Sequence, residues 1–344
     1  MERVMSMLLN DFVTKPQTEV HLVLIGRKRE VMFELDERIK IHKPLFTFDP
    51  NKKAWYTIKT LRFLRKKIKT LQPNTVLSFG EMWNNLVLLS LLNLKYPVFI
   101  SDRSEPNKNL GTLHNWLRKR LYPKARGYIA QTQKAAEVAK KNNWNTNVTV
   151  IGNPIKPISS KSDIEKENIV LTVGRLIKTK HIDELINIFI SCNEPNWKLV
   201  IVGGNAKRMN LLEDYREYVK KENIEDRVQL LGAQQNVDDY YSKSKLFAFT
   251  SSSEGFPNVI GEALAHGLPV VSYDCNAGPA DMIEDGTNGF LVKTHDQDAF
   301  KEKLDLLIKN ENLRNQFSIN SPIKINRFSR DKIVEDFFKF ITNP

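Results

Sequence analysis

Residues 250–273 read TSSSEGFPNVIGEALAHGLPVVSY, and this stretch decides the fold. The preceding run, LFAFT (246–250), is apolar without alternation, which is the pattern of a strand covered on both faces of a parallel sheet. A short polar loop follows. Pro257 then suits the first turn of a helix, because its φ is already fixed. The helix is predicted to run to His266 and to stop at Gly267. A helix that starts where a parallel strand ends offers free backbone N–H groups to an anionic ligand. Glu254 and Glu262 lie eight positions apart around this turn, and carboxylates accept hydrogen bonds well from sugar hydroxyls.

The same grammar recurs outward. Strands are predicted over 20–25, 75–79, 97–101, 127–131 and 148–151 in the first half. In the second half they are predicted over 168–173, 198–202, 228–231, 246–250, 269–273 and 290–292. Amphipathic helices fall between them, for example over 134–141 and 182–190. The alternation predicts two doubly wound α/β domains. Gly152-Asn153-Pro154-Ile155-Lys156-Pro157 ends a strand, and the polar run 159–163 reads as a linker. The expected domains are therefore 1–157 and 158–326, with a last segment, 327–344, as a helix returning to the first domain.

A chain of 344 residues accommodates two such cores. No apolar run reaches the roughly 20 residues of a membrane-spanning helix, and the start has no signal-peptide pattern. With only Cys192 and Cys275, no disulfide framework is expected, and no Cys/His spacing suggests a zinc site. The default compartment is the cytoplasm. The net charge of +12 is uneven: residues 1–157 carry +16 and residues 158–344 carry −4. The first half is thus expected to meet something anionic. Nucleic acid is a poor candidate, since no helix-turn-helix, zinc-finger or RNA-binding signature is present.

Two further strand ends carry polar chemistry. Val173-Gly174-Arg175-Leu176, followed by Lys180, places two cations where they could neutralise a diphosphate. Val202-Gly203-Gly204-Asn205 makes a tight turn. Asp296-Gln297-Asp298 reads as a helix cap rather than as metal ligands.

Together, VGRLIKTK, GFPNVIGEALAHGLPVV with its Glu254-x7-Glu262 spacing, and GPADMIEDGTNGFLV resemble retaining glycosyltransferases of family 4, which have the GT-B fold. The resemblance is strongest over 168–293. It implies two Rossmann-like domains facing across a cleft and a nucleotide-sugar donor, with UDP-sugar the commonest. It also implies metal-independent transfer, no cofactor, and a saccharide or lipid-linked saccharide acceptor. In this reading Glu254 holds donor-sugar hydroxyls and Glu262 the ribose. Arg175 and Lys180 bind the departing diphosphate. Gly174, Gly203, Gly255, Phe256, Pro257, Asn258 and Val259 shape the donor pocket, with backbone N–H groups of 256–259 on sugar or phosphate.

On the acceptor side, Ser101-Asp102-Arg103-Ser104-Glu105 resembles an acidic-Arg motif of bacterial polysaccharide and lipid-linked oligosaccharide transferases, making Asp102 and Arg103 candidates. Gly80-Glu81 is expected nearby.

Three features depart from the family. His181 stands where Gly is usual, the 203–205 turn lacks a second glycine at its usual place, and the family's first strand and glycine-rich loop have no counterpart ahead of Glu2. The last departure predicts a shortened start, with an inactive scaffold as the alternative function. Two basic amphipathic segments, 55–71 and 113–122, are expected either to cover a sheet or to meet an anionic membrane surface.

Overall fold

The computed structural model describes residues 1–26, 28, 30–156, 164–206 and 209–343. The expected linker 159–163 lies outside the described residues. The chain forms two compact units, Met1–Pro154 with Asp331–Pro344, and Ile155–Arg330.

In the first unit, α1 (Glu2–Phe12) leads to β1 (His21–Val23) and β2 (Lys40–His42), then α2 (Lys53–Leu71), β3 (Val76–Phe79), α3 (Glu81–Ser90), β4 (Val98–Ser101), α4 (Thr112–Leu121), β5 (Gly127–Ala130), α5 (Gln133–Lys141) and β6 (Val148–Val150). β1 and β2 form a two-stranded parallel sheet, and β3-β4-β5-β6 a separate four-stranded parallel one. Phe99, Ile100 and Ile129 are wholly buried, which explains the unbroken apolar runs of β4 and β5.

The second unit runs β7 (Ile169–Val173), α6 (Ile182–Ser191), β8 (Lys198–Val202), α7 (Leu211–Lys221), β9 (Val228–Gly232), α8 (Val237–Lys243), β10 (Leu246–Phe249), α9 (Asn258–Ala265), β11 (Val270–Asp274), α10 (Pro279–Met282), β12 (Gly289–Lys293), α11 (Gln297–Lys309) and α12 (Glu311–Ile325). Its six strands are all parallel, in the order β12-β11-β10-β7-β8-β9. Helix α6 turns Leu185, Ile186 and Phe189 into the core, the apolar face its spacing predicted.

The last helix, α13 (Arg330–Thr342), packs on the first unit. Phe337 lies 5.9 Å from the Phe79 ring, and Phe340 meets Phe99 edge-on at 5.3 Å. A Cβ on Gly127 would sit 2.7 Å from Phe340. Only glycine at that strand position lets the helix approach.

The structure differs from the sequence expectation at four places. β2 was not predicted, because its three residues hold one apolar side chain, Ile41, which is itself exposed. Pro257 is the N-cap of α9 rather than its first helical residue. In α2 only Thr60, Leu64 and Ile68 are buried, so the expected apolar stripe splits and leaves Trp55 and Ile58 in solvent. In α4 the cation Arg118 is buried against the Trp144 ring at 4.5 Å instead of facing outward.

Truncating Phe337 to Ala removes a fully buried aromatic ring. We expect unfolding stability in urea to fall by about 3–5 kcal/mol. A loss below about 1 kcal/mol would mean that α13 does not contribute to the core.

Candidate functional site

In the second unit, β7, β8 and β10 end side by side, so the loops after them converge. The β7 loop passes through Gly174, exposed Arg175 and a short 3-10 turn, Lys178–Lys180. Its return is fixed from the β10 loop. The Thr250 hydroxyl donates to the Lys180 carbonyl at 2.8 Å, and the Ser252 amide to the Thr179 carbonyl at 2.9 Å.

This brings Lys180 Nζ to 2.5 Å from Glu254 Oε1 and 4.6 Å from the centre of the Phe249 ring. Both side chains of the pair are about 15% exposed, so the ion pair is sheltered yet open to a ligand. Arg175 has no hydrogen bond or ion pair among the described residues. The β8 loop comes in at Gly203, where a Cβ would lie 1.7 Å from the Gly174 carbonyl oxygen. No side chain fits there, and that close approach holds the two loops together.

Glu262 lies on α9, beyond the turn. Tyr241, buried on α8, donates its hydroxyl to Glu262 Oε2 at 3.2 Å, and its ring stacks on His266 at 5.1 Å. The Gly267 and Leu268 amides cap the helix by donating to the Leu264 and Ala263 carbonyls, with Gly267 at φ 66°. At the other end Gly278, at φ 103°, would place a Cβ 2.1 Å from Pro257 Cδ. This contact fixes the Gly255-Phe256-Pro257 turn. Of the four expected backbone donors, Pro257 has no N–H and the Asn258 amide already donates to Phe256 O at 3.0 Å. Phe256 and Val259 remain. Near the loop, Cys275 is buried and its thiol is pushed up to about 12 by burial, with the Glu254 charge adding to it.

Sequence reasoning missed Tyr241. It also missed a cluster on the same unit in which Glu184 accepts from the Tyr273 hydroxyl at 2.8 Å and lies 2.9 Å from His295 Nδ1 and 3.3 Å from His181 Nδ1. Among the described residues, His181, Glu184 and His295 have the spacing to hold a metal ion, their ligand atoms within 4.8 Å of one another. The hydrogen bonds already satisfy Glu184. The residues come from distant segments, which no local motif reveals. Asp296 caps α11 by accepting from the Ala299 amide at 3.1 Å.

In the first unit, Glu81 was noted only for its position. Its carboxylate accepts from the Arg103 and Ser104 amides at 3.0 and 2.7 Å, which ties the loop after β4 to the start of α3. Asp102 Oδ1 is buried and accepts from the Tyr122 hydroxyl at 2.6 Å and from Asn84 Nδ2 at 3.0 Å. Burial, reinforced by the Glu81 charge, raises its pKa to about 6. Asp102 and Arg103 make no direct ion pair among the described residues. Arg103 stacks on Phe79 at 3.6 Å and donates from Nη1 to Asn153 at 2.8 Å. Burial lowers its pKa to about 9. Its Nε and Nη2 are buried without a partner among the described residues.

The sequence profile described as glycosyl transferases group 1 matches residues 154–323, the span that carries this constellation. Curated relatives extend over the whole chain. An uncharacterised glycosyltransferase of Haemophilus influenzae is 28% identical over 341 residues, 98% of this chain and 94% of the relative. The amylovoran biosynthesis glycosyltransferase AmsD of Erwinia amylovora is 29% identical over 303 residues, 84% of this chain and 81% of the relative. An α-1,4-N-acetyl-D-galactosaminyltransferase of Campylobacter jejuni, named for a diNAcBac-PP-undecaprenol glycan, is 28% identical over 322 residues, 91% and 87%.

Among solved structures, the lipopolysaccharide outer core galactosyltransferase WaaB superposes with a TM-score of 0.81 over 99% of this chain and 95% of its own, at 21% identity. Anabaena HepE in complex with UDP gives 0.76 over 89% and 87%, at 18% identity. The span that matches the glycosyl transferases group 1 profile thus sits in a chain with the GT-B fold, two α/β units each built on parallel strands.

The Asp102 carboxyl gives a pH prediction. Its folded pKa, about 6, lies above the ordinary 3.8, so the folded protein holds the proton more tightly. The stabilisation is complete below about pH 4 and is lost as pH rises through 6. Asp102→Asn should remove this slope, which amounts to about 3 kcal/mol at most. Urea unfolding at pH 4, 5 and 7 measures it. Parallel slopes for the two proteins would mean that the carboxyl is not shifted.

Proposed function

We propose that this chain is a retaining glycosyltransferase that moves a sugar from a nucleotide sugar, of the UDP-sugar class, onto a saccharide or lipid-linked saccharide during bacterial surface-glycan synthesis. The observation that carries the reading is the Lys180–Glu254 pair at the joined ends of β7 and β10, inside the matched domain. Its support from related proteins lies in the AmsD and Campylobacter relatives and in a GT-B neighbour solved with UDP.

In this reading the ligand-free pair is a stored interaction. A donor diphosphate draws the Lys180 ammonium onto itself, beside Arg175. That frees the Glu254 carboxylate to accept from donor-sugar hydroxyls. The two cations stabilise charge as it builds on the leaving diphosphate. The phosphate oxygen accepts the acceptor's proton, which keeps the new bond on the face of the old one. Tyr241 holds Glu262 for the ribose hydroxyls. Gly255 and the Phe256 and Val259 amides complete the donor pocket. No step requires a metal. On the acceptor side, Glu81 shapes the 102–104 loop, Asp102 braces it, and Arg103 anchors it on Phe79 and Asn153.

The exposed side chains of the first unit bear on where the acceptor is held. Trp55, Ile58, Leu113 and Trp116 are each more than 40% exposed within a region of strong positive charge. Aromatic and cationic groups of this kind dock on anionic bilayers. No helix among the described residues is long and apolar enough to cross a membrane, and the attachment proposed is peripheral, at the cytoplasmic face.

Three measurements test the proposal. UDP or a UDP-sugar should raise the melting temperature, as any ligand selective for the folded state does. Glu262→Ala should weaken that shift. No shift with UDP, GDP or any of their sugars would refute the donor assignment. Lys180→Ala and Glu254→Gln should each lower kcat by about 10²–10³-fold with the fold intact by circular dichroism, and rates near that of the unmodified protein would remove the pair from the mechanism. The chain should sediment with vesicles containing anionic lipid and not with neutral ones, and Trp55→Ala with Trp116→Ala should weaken the association. Equal, negligible sedimentation with both would end the membrane proposal.

A further inference from the structure

The cluster of His181, Glu184 and His295 takes no part in the proposed donor chemistry, and both of its histidines stand in unusual backbone. His181 has φ 48° and His295 has φ 67°, the left-handed region that an L side chain enters at a cost. His181 also stands where the family it resembles usually has glycine, which adopts this conformation freely. A side chain kept there against that preference points to a use for it.

Separate elements bring the three side chains together. His181 is the N-cap of α6, Glu184 lies in the first turn of that helix, and His295 follows β12. Glu184 Oε2 accepts from the hydroxyl of Tyr273, on β11, at 2.8 Å. Oε1 is thereby left to the two rings, 2.9 Å from His295 Nδ1 and 3.3 Å from His181 Nδ1. The rings meet edge-on with their centres 4.5 Å apart.

The far side of His181 decides what fits between them. The Ser252 hydroxyl donates to the Thr179 carbonyl at 3.4 Å, so it accepts from His181 Nε2 at 2.7 Å. With its proton on Nε2, a neutral imidazole turns the Nδ1 lone pair toward a carboxylate oxygen. Those two electron-rich atoms repel unless a cation lies between them. Metal-ligating histidines are set in this way, the second ring nitrogen donating to an outer partner.

We infer that His181, Glu184 and His295 bind a divalent transition-metal ion of the zinc class, through the two Nδ1 atoms and Oε1, with water in the fourth position. Metal–ligand distances of about 2.0–2.1 Å in a tetrahedron set ligand–ligand edges of about 3.3 Å. The two edges to Oε1 are 3.3 and 2.9 Å. The three residues' ligand atoms lie within 4.8 Å of one another, and His295, 52% exposed, has room to turn and shorten the remaining edge. Two imidazoles favour such an ion over Mg²⁺ or Ca²⁺, which take oxygen ligands. The ion clasps the segment after β7 to the loop after β12. Because the Thr250 hydroxyl is shared between the Lys180 and His181 carbonyls, the clasp bears on the segment that carries Lys180.

The test uses the full chain without an affinity tag, stripped of metal by a chelator and dialysed. Zn²⁺ should raise the melting temperature and bind at one ion per chain, and Co²⁺ should give the visible absorption of a four-coordinate site. His295→Ala should weaken Zn²⁺ binding by about tenfold or more. His181→Gly should lose the Zn²⁺ shift yet keep the melting temperature of the metal-free chain, because glycine suits the left-handed backbone. His21→Ala, which breaks the other histidine pair, 3.0 Å from His42, should leave the shift intact. No Zn²⁺ shift in the unmodified chain overturns the inference. So does a shift that survives both His295→Ala and His181→Gly, or one that His21→Ala abolishes, since either places the ion elsewhere.

Discussion

A parallel strand carries hydrogen-bonding groups on both edges, and the second unit is organised around β7, one of its four strands paired on both edges. β7 is buried among apolar neighbours, with β8 on one side and β10 on the other. Because these three strands run parallel, their carboxyl ends lie together. The loops that follow are therefore brought into contact by the sheet itself. Lys180 reaches Glu254 across 74 residues of sequence for this reason.

Close packing at the strand ends then sets the loops. Gly203 carries no side chain where the Gly174 carbonyl approaches, and Gly278 leaves room for Pro257. Hydroxyls finish the work: Thr250 and Ser251 donate to carbonyls of the β7 loop. The polar residues of TSSS are thus mostly spent on backbone, which leaves Glu254 as the side chain that meets Lys180. A loop held this way loses little further entropy when a ligand binds.

Much of this was legible. All six strands of the second unit were predicted within one or two residues, because strands buried on both faces show unbroken apolar runs bounded by glycine and proline. β2 was invisible, since a three-residue edge strand with one exposed apolar side chain has no pattern to read. The turn of Gly255, Phe256 and Pro257 and its neighbour Glu262 could be located from spacing, but not the hydrogen bond from Tyr241, 21 residues away. The same limit hid Glu81. Its function is to accept two amides 22 and 23 positions along, and nothing local in Gly80-Glu81 announces that. Arg118 misled for a physical reason. Sequence counts a cation as surface, while Trp144 supplies a face on which a guanidinium can be buried.

The polar groups of the two units are tuned in opposite ways. In the second unit the Lys180–Glu254 pair is partly exposed, so each charge balances the other and stays available for exchange with a ligand. In the first unit burial dominates. It moves Asp102 up to about 6 and Arg103 down to about 9, although Arg103 has carboxylates on both flanks. Desolvation there outweighs the mutual attraction of the charges. Such a network tolerates its cost because hydrogen bonds from Tyr122, Asn84 and two backbone amides hold the carboxylates of Asp102 and Glu81. The loop after β4 is fixed by groups that have already paid for leaving water.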